Sequence, residues 1–475
     1  MEYEPVIGLE VHLQLSTKTK AFCGCSTRFG QRPNSQTCPV CLGFPGSLPK
    51  LNARAFSYAV KVALALKCEV QKTIKFDRKN YYYPDLPKNF QISQFDKPIA
   101  YNGEVMILSG GKTKKIRIRR VHLEEDAGKL IHDTPGSYSL VDYNRAGIPL
   151  LEIVTEPDIN SPDEAYGYLT NLKAILKYLD VSDCDMEKGS LRCDANISVR
   201  PRGTDGLGSK VELKNMNSFK GVKGGLEYEV RRQVEAVAAG ERIPQETRLW
   251  DAEKSVTVSM RTKEEAHDYR YFPEPDLVPF VDSGIAKDIT VPELPEAKAK
   301  RFRDTFGLSE YDAGVLTAEK EMADYFERCV AIHGNAKTVT NWLTGEMMAQ
   351  LNERNMTIGA LGVPAEGLAG LLKMIDDGSI SGKIAKTVLA EMIETKSSAA
   401  DIVKAKGLAQ ISDAGKIEEI ARSVIAREEK TANDYKNGKT AALAFLVGQV
   451  MKETKGKANP ALVNGLLKKL LGGEK

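Results

Sequence analysis

The chain has 475 residues, 42% of them hydrophobic and 28% charged, and a net charge of +3. That length exceeds one ordinary core, so two to four domains are expected, and the balance is that of a globular protein rather than a polycation. The apolar stretch Val60–Leu66 contains Lys61 and falls far below the ~20 residues of a membrane span, eight cysteines in so long a chain do not read as a disulfide scaffold, and the acidic start Met1–Pro5 lacks a signal peptide's basic and apolar regions, so a cytoplasmic protein with no membrane contact is expected.

Pro5–Leu15 alternates, with Ile7, Leu9, Val11, Leu13 and Leu15 on one side and Gly8, Glu10, His12 and Gln14 on the other, which predicts a half-buried strand. Leu51–Leu66 reads as a helix, and Lys115–Val121 alternates again. A second helix begins at Ser161-Pro162-Asp163-Glu164, a cap, a first-turn proline and two acids, and carries Ala165, Tyr168, Leu169, Leu172, Ile175, Leu176 and Leu179 at helical spacing. Leu191–Arg200 is a further alternating segment. Val291-Pro292-Glu293-Leu294-Pro295 marks a boundary, after which Thr317–Ala331, Val339–Leu351 and Gly367–Ile375 are helix-forming. A loop near Lys404 introduces a last set of helices, ending in one started by Asn459-Pro460. From Thr431 to Lys475 there are eight lysines against three acids, a local basicity that suits a polyanion partner or a solvated helix face.

The sharpest spacing is Cys23-Gly24-Cys25, twelve residues, then Cys38-Pro39-Val40-Cys41. Two close cysteine pairs on turns can supply the tetrahedral thiolates of a structural zinc site, with four buried free thiols as the alternative. Glu10 and His12 share a strand face, and Glu124, Glu125, Asp126, Glu152 and Asp194 lie in otherwise apolar, strand-like segments. Acids there are costly unless paired or bound to a hard cation such as magnesium. Tyrosines and basic residues mix at positions 76–85 and 268–276, a composition that suits phosphates and unstacked RNA bases or a core-packed turn. Lys112, Lys114, Lys115, Arg117, Arg119 and Arg120 form either a phosphate rail or a charge-protected edge strand. Asn437-Gly438-Lys439-Thr440 ends like a phosphate loop, but Asn433 stands where the first glycine is required. No nucleophile-elbow pattern occurs, so hydrolytic or glutaminase chemistry has no evident seat.

Over nearly its full length, from Val6–His12 to the helical tail, the chain resembles the B-subunit family of aspartyl/glutamyl-tRNA(Asn/Gln) amidotransferases. The strings that carry the resemblance are Lys75–Tyr81, Gln91–Asp96, Glu124–Lys129, Glu187–Asn196, Glu212–Asn215 and Asp268–Asp276. No large insertion separates the strand-rich and helical parts, which sets it apart from the archaeal relative that carries an extra synthetase-like domain.

The resemblance implies an α+β fold: a cradle with an antiparallel sheet at 1–291, including a zinc loop at 22–42, then an all-α domain at 292–404 and an all-α tail at 405–475 that binds the tRNA body. It implies ATP-dependent conversion of Glu-tRNA(Gln), or of Asp-tRNA(Asn), by phosphorylation of the side-chain carboxylate and displacement of phosphate by ammonia. Glu10, His12, Glu125 and Glu152 are the expected catalytic metal ligands for magnesium, with Glu124 and Asp194 as further candidates. Lys79, Lys88, Arg192 and Lys214 are the expected nucleotide-binding residues. Ammonia is expected from a partner amidase, the A chain of the complex, with a small C chain completing a heterotrimer. A non-catalytic tRNA scaffold and a zinc-ribbon nucleic-acid protein are the competing readings.

Overall fold

Period-two alternation decides which side of each central strand is buried. On Tyr3–Gln14, Ile7, Leu9, Val11 and Leu13 are fully buried, whereas Gly8, Glu10, His12 and Gln14 are only partly so. The computed structural model describes residues 2–132, 138–262, 269–281, 284–409, 414–454 and 456–472, in two compact units, Met1–Pro295 and Glu296–Lys475. The fold class is α+β, strand-rich first and helical second.

The first unit runs β1 (Tyr3–Gln14), α1 (Pro39–Leu42), α2 (Ala53–Ala65), β2 (Glu69–Val70), β3 (Thr73–Ile74), β4 (Asp77–Asn80), β5 (Phe90–Ser93), β6 (Ala100–Ser109), β7 (Lys112–Glu125), β8 (Lys129–Ile131), β9 (Leu140–Asp142) and β10 (Pro149–Thr155). It continues with α3 (Pro162–Tyr178), β11 (Leu191–Pro201), β12 (Val211–Lys214), α4 (Phe219–Ala238), β13 (Glu246–Asp251), β14 (Val256–Thr262), β15 (Arg270–Pro273) and β16 (Phe280–Val281). Nine strands form one sheet in the order β14-β13-β12-β11-β1-β10-β7-β6-β2, antiparallel except for the β12/β13 pair. A second sheet has the order β15-β4-β5. The basic strand β7 is therefore interior, between β10 and β6, and the edge-strand reading of its charges is set aside.

Helices α2, α3 and α4 cover one sheet face, where Phe56, Val60, Leu169, Leu172 and Leu226 join Leu9, Val11, Leu123 and Leu151 in a single core. Each such buried side chain contributes about 1.5–3 kcal/mol. The helices start where their caps allow: the Ser161 hydroxyl accepts from the Glu164 N–H at 3.1 Å, and Ser218 does the same for Gly221 at 3.0 Å. In α4, Gly224 and Gly225 lie against the Trp250 indole, where Gly224 has little room for a Cβ.

One turn further along α4 lies a buried ionic network. The Glu229 carboxylate, wholly inaccessible, meets Arg232 at 2.8 Å and Arg248 at 3.1 Å and accepts from Thr257 and Gln233. Burial opposes its charge, but these donors outweigh burial and hold it below the usual carboxylate range.

The second unit is helical from Pro295–Phe306 onward. Helices Ala414–Arg427, Glu429–Lys436, Ala441–Glu453 and Pro460–Gly472 share a core that includes Ile417, Leu446, Val463 and Leu467. Gly438-Lys439 follows a helix rather than a strand, so no phosphate loop forms there. Among the described residues no helix is long and apolar enough to cross a membrane.

Glu229→Gln leaves two arginines short of a buried partner, so a loss of about 3 kcal/mol in the first unit is expected. A depressed carboxyl contributes stability above its unfolded pKa that is lost as pH falls through the folded value, so the variant also flattens the acid side of the stability curve. Denaturant unfolding followed through Trp250, in a Trp342→Phe background, measures both.

Candidate active site

The face of the sheet away from the helices collects the polar half of each central strand. In β1, β10 and β7 the register sets His12 opposite Glu152 and Glu152 opposite His122, one lateral row across three strands. His12 Nε2 lies 3.3 Å from Glu152 Oε2, and His122 Nε2 lies 3.1 Å from the same oxygen and 3.3 Å from Glu124 Oε2. Ser93 Oγ donates to Glu124 Oε2 at 3.0 Å. His12, Glu124 and Glu152 can each offer a ligand atom within 4.8 Å of the others.

Burial lowers both histidines, but the carboxylates reverse the sign: His12 is raised, and His122 is raised to about 9 by Glu152 and Glu124. Burial likewise opposes ionisation of Glu124 and Glu152, yet the imidazoles hold Glu124 below and Glu152 well below the ordinary carboxylate range. Two acids thus share their charge with two imidazoles in a site withdrawn from water. A divalent cation fits this donor set of two carboxylates and one imidazole, and would displace the proton from His12, because imidazole ligates only when neutral.

The other residues expected at this site lie as follows. Glu10 and Asp194, directly opposite each other in the β1/β11 pair, are on the same face, one strand repeat along from His12. Glu10 accepts from Asn196 at 2.8 Å, and Asp194 is held by Lys214 at 2.6 Å. Glu125 does not join the cluster. Adjacent strand residues point to opposite faces, so it turns away from Glu124, pairs with Lys88 and accepts from the Ile92 N–H at 2.9 Å. A cavity of about 220 Å³ there is lined by Glu125, Lys88, Lys20, Arg78 and parts of the cysteine loop.

The four expected phosphate cations divide the same way. Lys88 is engaged with Glu125, Arg192 donates to Asp126 at 2.9 Å, and Lys214 bridges Asp194 and Glu212. Lys79 lies 4.6 Å from the Tyr269 ring centroid and 5.7 Å from that of Tyr81. Burial works against its charge, but Glu124 leads the neighbours that keep it raised. It is the member of the four whose field reaches the cluster without a carboxylate pressed against it.

The four cysteines of the 22–42 loop also converge, with Sγ atoms of Cys23, Cys25, Cys38 and Cys41 within 4.8 Å of one another. A hydrogen bond from Cys23, with Lys20 beyond, holds Cys41 down to about 4 and Cys23 up, and burial and its neighbours push Cys25 up to about 11. The buried Lys20 ammonium lies 3.7 Å from Cys41 Sγ and 3.2 Å from the Tyr143 carbonyl. An all-thiolate set of this kind fits zinc with no open position.

The sequence reading passed over His122 as a functional group. It stands two residues before Glu124 on the same strand face, which period two makes legible. Of the residues at positions 268–276, Asp268 lies outside the described residues.

The fold and this face define a class: an α+β protein whose first unit carries an acid-and-imidazole site on an antiparallel sheet and whose second unit is helical. Residues 5–285 match the family described as the GatB/GatE catalytic domain, and residues 324–471 match the GatB domain. Three relatives, each the B subunit of an aspartyl/glutamyl-tRNA(Asn/Gln) amidotransferase by name, align end to end. That of Moorella thermoacetica is 57% identical over 99% of this chain and 100% of its own. The Carboxydothermus hydrogenoformans protein is 56% identical over 98% of both, and the Brevibacillus brevis protein 54% over 99% of both. The chain belongs to the family of aspartyl/glutamyl-tRNA(Asn/Gln) amidotransferase B subunits.

Metal analysis should separate the two clusters. Glu124→Gln or Glu152→Gln should abolish Mn²⁺ binding seen by electron paramagnetic resonance and spare the zinc content, and Glu125→Gln should retain both. Cys38→Ser should lose zinc and melting temperature but keep Mn²⁺.

Proposed function

We propose that this chain is the carboxylate-activating, tRNA-binding subunit of a cytoplasmic tRNA-dependent amidotransferase. Its substrate is a tRNA misacylated with glutamate or aspartate. A carboxylate is a poor electrophile with a poor leaving group. Transfer of the γ-phosphoryl of ATP onto it, with release of ADP, makes an acyl phosphate. Ammonia then attacks the acyl carbon, phosphate departs and a proton is lost, leaving the amide.

The observation that carries this reading is the convergence of His12, Glu124 and Glu152 on one water-poor sheet face, with the Lys79 ammonium, held beside Tyr269 and Tyr81, near enough to feel the charge of the two acids. A scaffold that only holds RNA has no use for such a cluster. Magnesium held there would supply charge neutralisation on the transferring phosphoryl oxygens. The protein's own part is to orient the acids, through Ser93 on Glu124 and His122 between Glu124 and Glu152, and to set Lys79 and its tyrosines around the reacting groups.

Ammonia comes from a partner amidase in this reading, with a small third chain completing a heterotrimer. The thiols outside the loop support it: burial pushes Cys68 and Cys329 up to about 12 and Cys193 well above its ordinary range, so they are unsuited to nucleophilic glutamine hydrolysis. A structural zinc on the cysteine quartet, with the three-domain division at 291 and 404, completes the proposal. The lysine-rich tail then grips the tRNA body through phosphates, contacts that position more than they specify.

Glu124→Ala in the assembled enzyme is expected to lower Glu-tRNA-dependent ATP cleavage by about a hundredfold or more, the scale for losing one electrostatic stabiliser of a transition state. Unchanged ATP cleavage would leave only the scaffold reading.

Truncation after Lys404 should weaken tRNA affinity and make its salt dependence shallower, as fewer phosphates are neutralised. Equal affinities and slopes in filter binding would refute the tail's role.

A further inference from the structure

Four thiolates around one divalent ion make a dianion, and a site with no open position must offset that charge from beyond its ligands. Cys23, Cys25 and Cys38 are half-buried and can draw on water, but Cys41 is buried. The Cys38 N–H donates to Cys41 Sγ at 3.2 Å, yet a neutral donor falls short of a whole charge.

Lys20 is placed to supply it. The residue is wholly buried, and among the described residues no carboxylate lies within ion-pair distance of its ammonium. A buried ammonium with no anionic partner is costly. Its Nζ lies instead 3.7 Å from Cys41 Sγ and 3.2 Å from the Tyr143 carbonyl oxygen. The other cations lining the same cavity are committed, Lys88 to Glu125 and Arg78 to Glu274. Gly147, in a left-handed conformation, makes room for the lysine chain, since a Cβ there would stand 3.3 Å from Lys20 Cδ. The main chain of Lys20 meanwhile reaches the other cysteine pair. Its N–H donates to the Cys25 carbonyl at 3.0 Å, and its own carbonyl accepts from the Asn52 side chain at 3.2 Å. One residue thus holds the first pair through its backbone and the second through its ammonium.

We propose that Lys20 is the counter-charge of the cysteine quartet, a positioning residue rather than a ligand, which sets how tightly the four thiolates hold zinc. This deepens the structural-zinc reading above and rests on it. The ammonium takes up part of the negative charge on Cys41 Sγ, so the thiolates repel one another less when they close around the ion. A neutral side chain of similar length would fill the same space and offset nothing.

The test uses the full-length chain. Zinc affinity is measured against a chromophoric chelator, and the thiolate-to-cobalt charge-transfer band is read after cobalt replaces zinc. Lys20→Met and Lys20→Gln should each weaken zinc binding about ten- to a hundredfold, the scale for an outer partner of a metal ligand. Both should move the cobalt band to longer wavelength, because a thiolate without its positive neighbour gives up an electron more readily. Lys20→Gln keeps a donor for the Tyr143 carbonyl and so separates charge from hydrogen bonding. Lys20→Arg keeps the charge and should recover most of the affinity. Neutral variants that hold zinc as the wild type does overturn the counter-charge. Lost stability with an unmoved cobalt band overturns it in favour of packing. Should neither neutral variant fold, the arginine variant decides: zinc retained upholds the proposal, and zinc lost from a folded chain overturns it. A wild-type chain with no cobalt band overturns the zinc reading and the counter-charge together.

Discussion

Covering one face of a nine-stranded sheet with three helices sends most charged side chains of the central strands, Glu125 and Lys114 apart, to the other face. β1, β7, β10 and β11 are neighbours, so their polar halves fall side by side without any loop having to be positioned. His12, Glu152 and His122 form a straight lateral row because antiparallel register sets them opposite one another. Strands held in a packed sheet fix such groups more tightly than loops do. The helices α2, α3 and α4, remote from the chemistry, act on it by deciding which residues are outward.

The proposed phosphoryl transfer would set this face two opposed demands. It needs clustered acids to hold a cation and cations to receive an anion. The sheet meets the first by burying Glu124 and Glu152 against two imidazoles, so the acids stay ionised although burial opposes it. It meets the second selectively. Arg192 and Arg145 are spent on Asp126, a buried carboxylate that also accepts from Gln14 at 2.6 Å, and so stiffen the end of the row. Lys79, held 4.6 Å from the Tyr269 ring centroid, has no ion pair among the described residues.

How much of this was legible follows the range of the interaction. Features set by a few neighbouring residues could be read directly: the β1 alternation, the Ser161 cap with its proline, and the two cysteine pairs. The choice between Glu124 and Glu125 could not, because either parity suits an isolated strand and only pairing with β10 decides it. The ion pairs of Lys88 with Glu125, Arg192 with Asp126 and Lys214 with Asp194 join residues 20 to 66 positions apart. The bulge at Arg119, where β7 slips against β10, carries no glycine, and its local sign is the broken alternation Ile118-Arg119-Arg120-Val121.

The adjacency of Glu124 and Glu125 also explains why the cysteine loop belongs to the architecture of the site. With Glu125 turned to the far side, its partner Lys88 must be held there, and the loop does this at close quarters. Gly43, which closes α1 in a left-handed conformation, leaves no room for a Cβ against the Lys88 side chain. Cys41, in the same short helix, shares the cavity with Lys88 and Glu125 and is in turn held by Lys20. A metal fixing the four thiols would fix Gly43, and Gly43 would fix the lysine. The loop would thus brace the far side of β7, whereas pairing with β10 is what sets Glu124 towards His12 and Glu152.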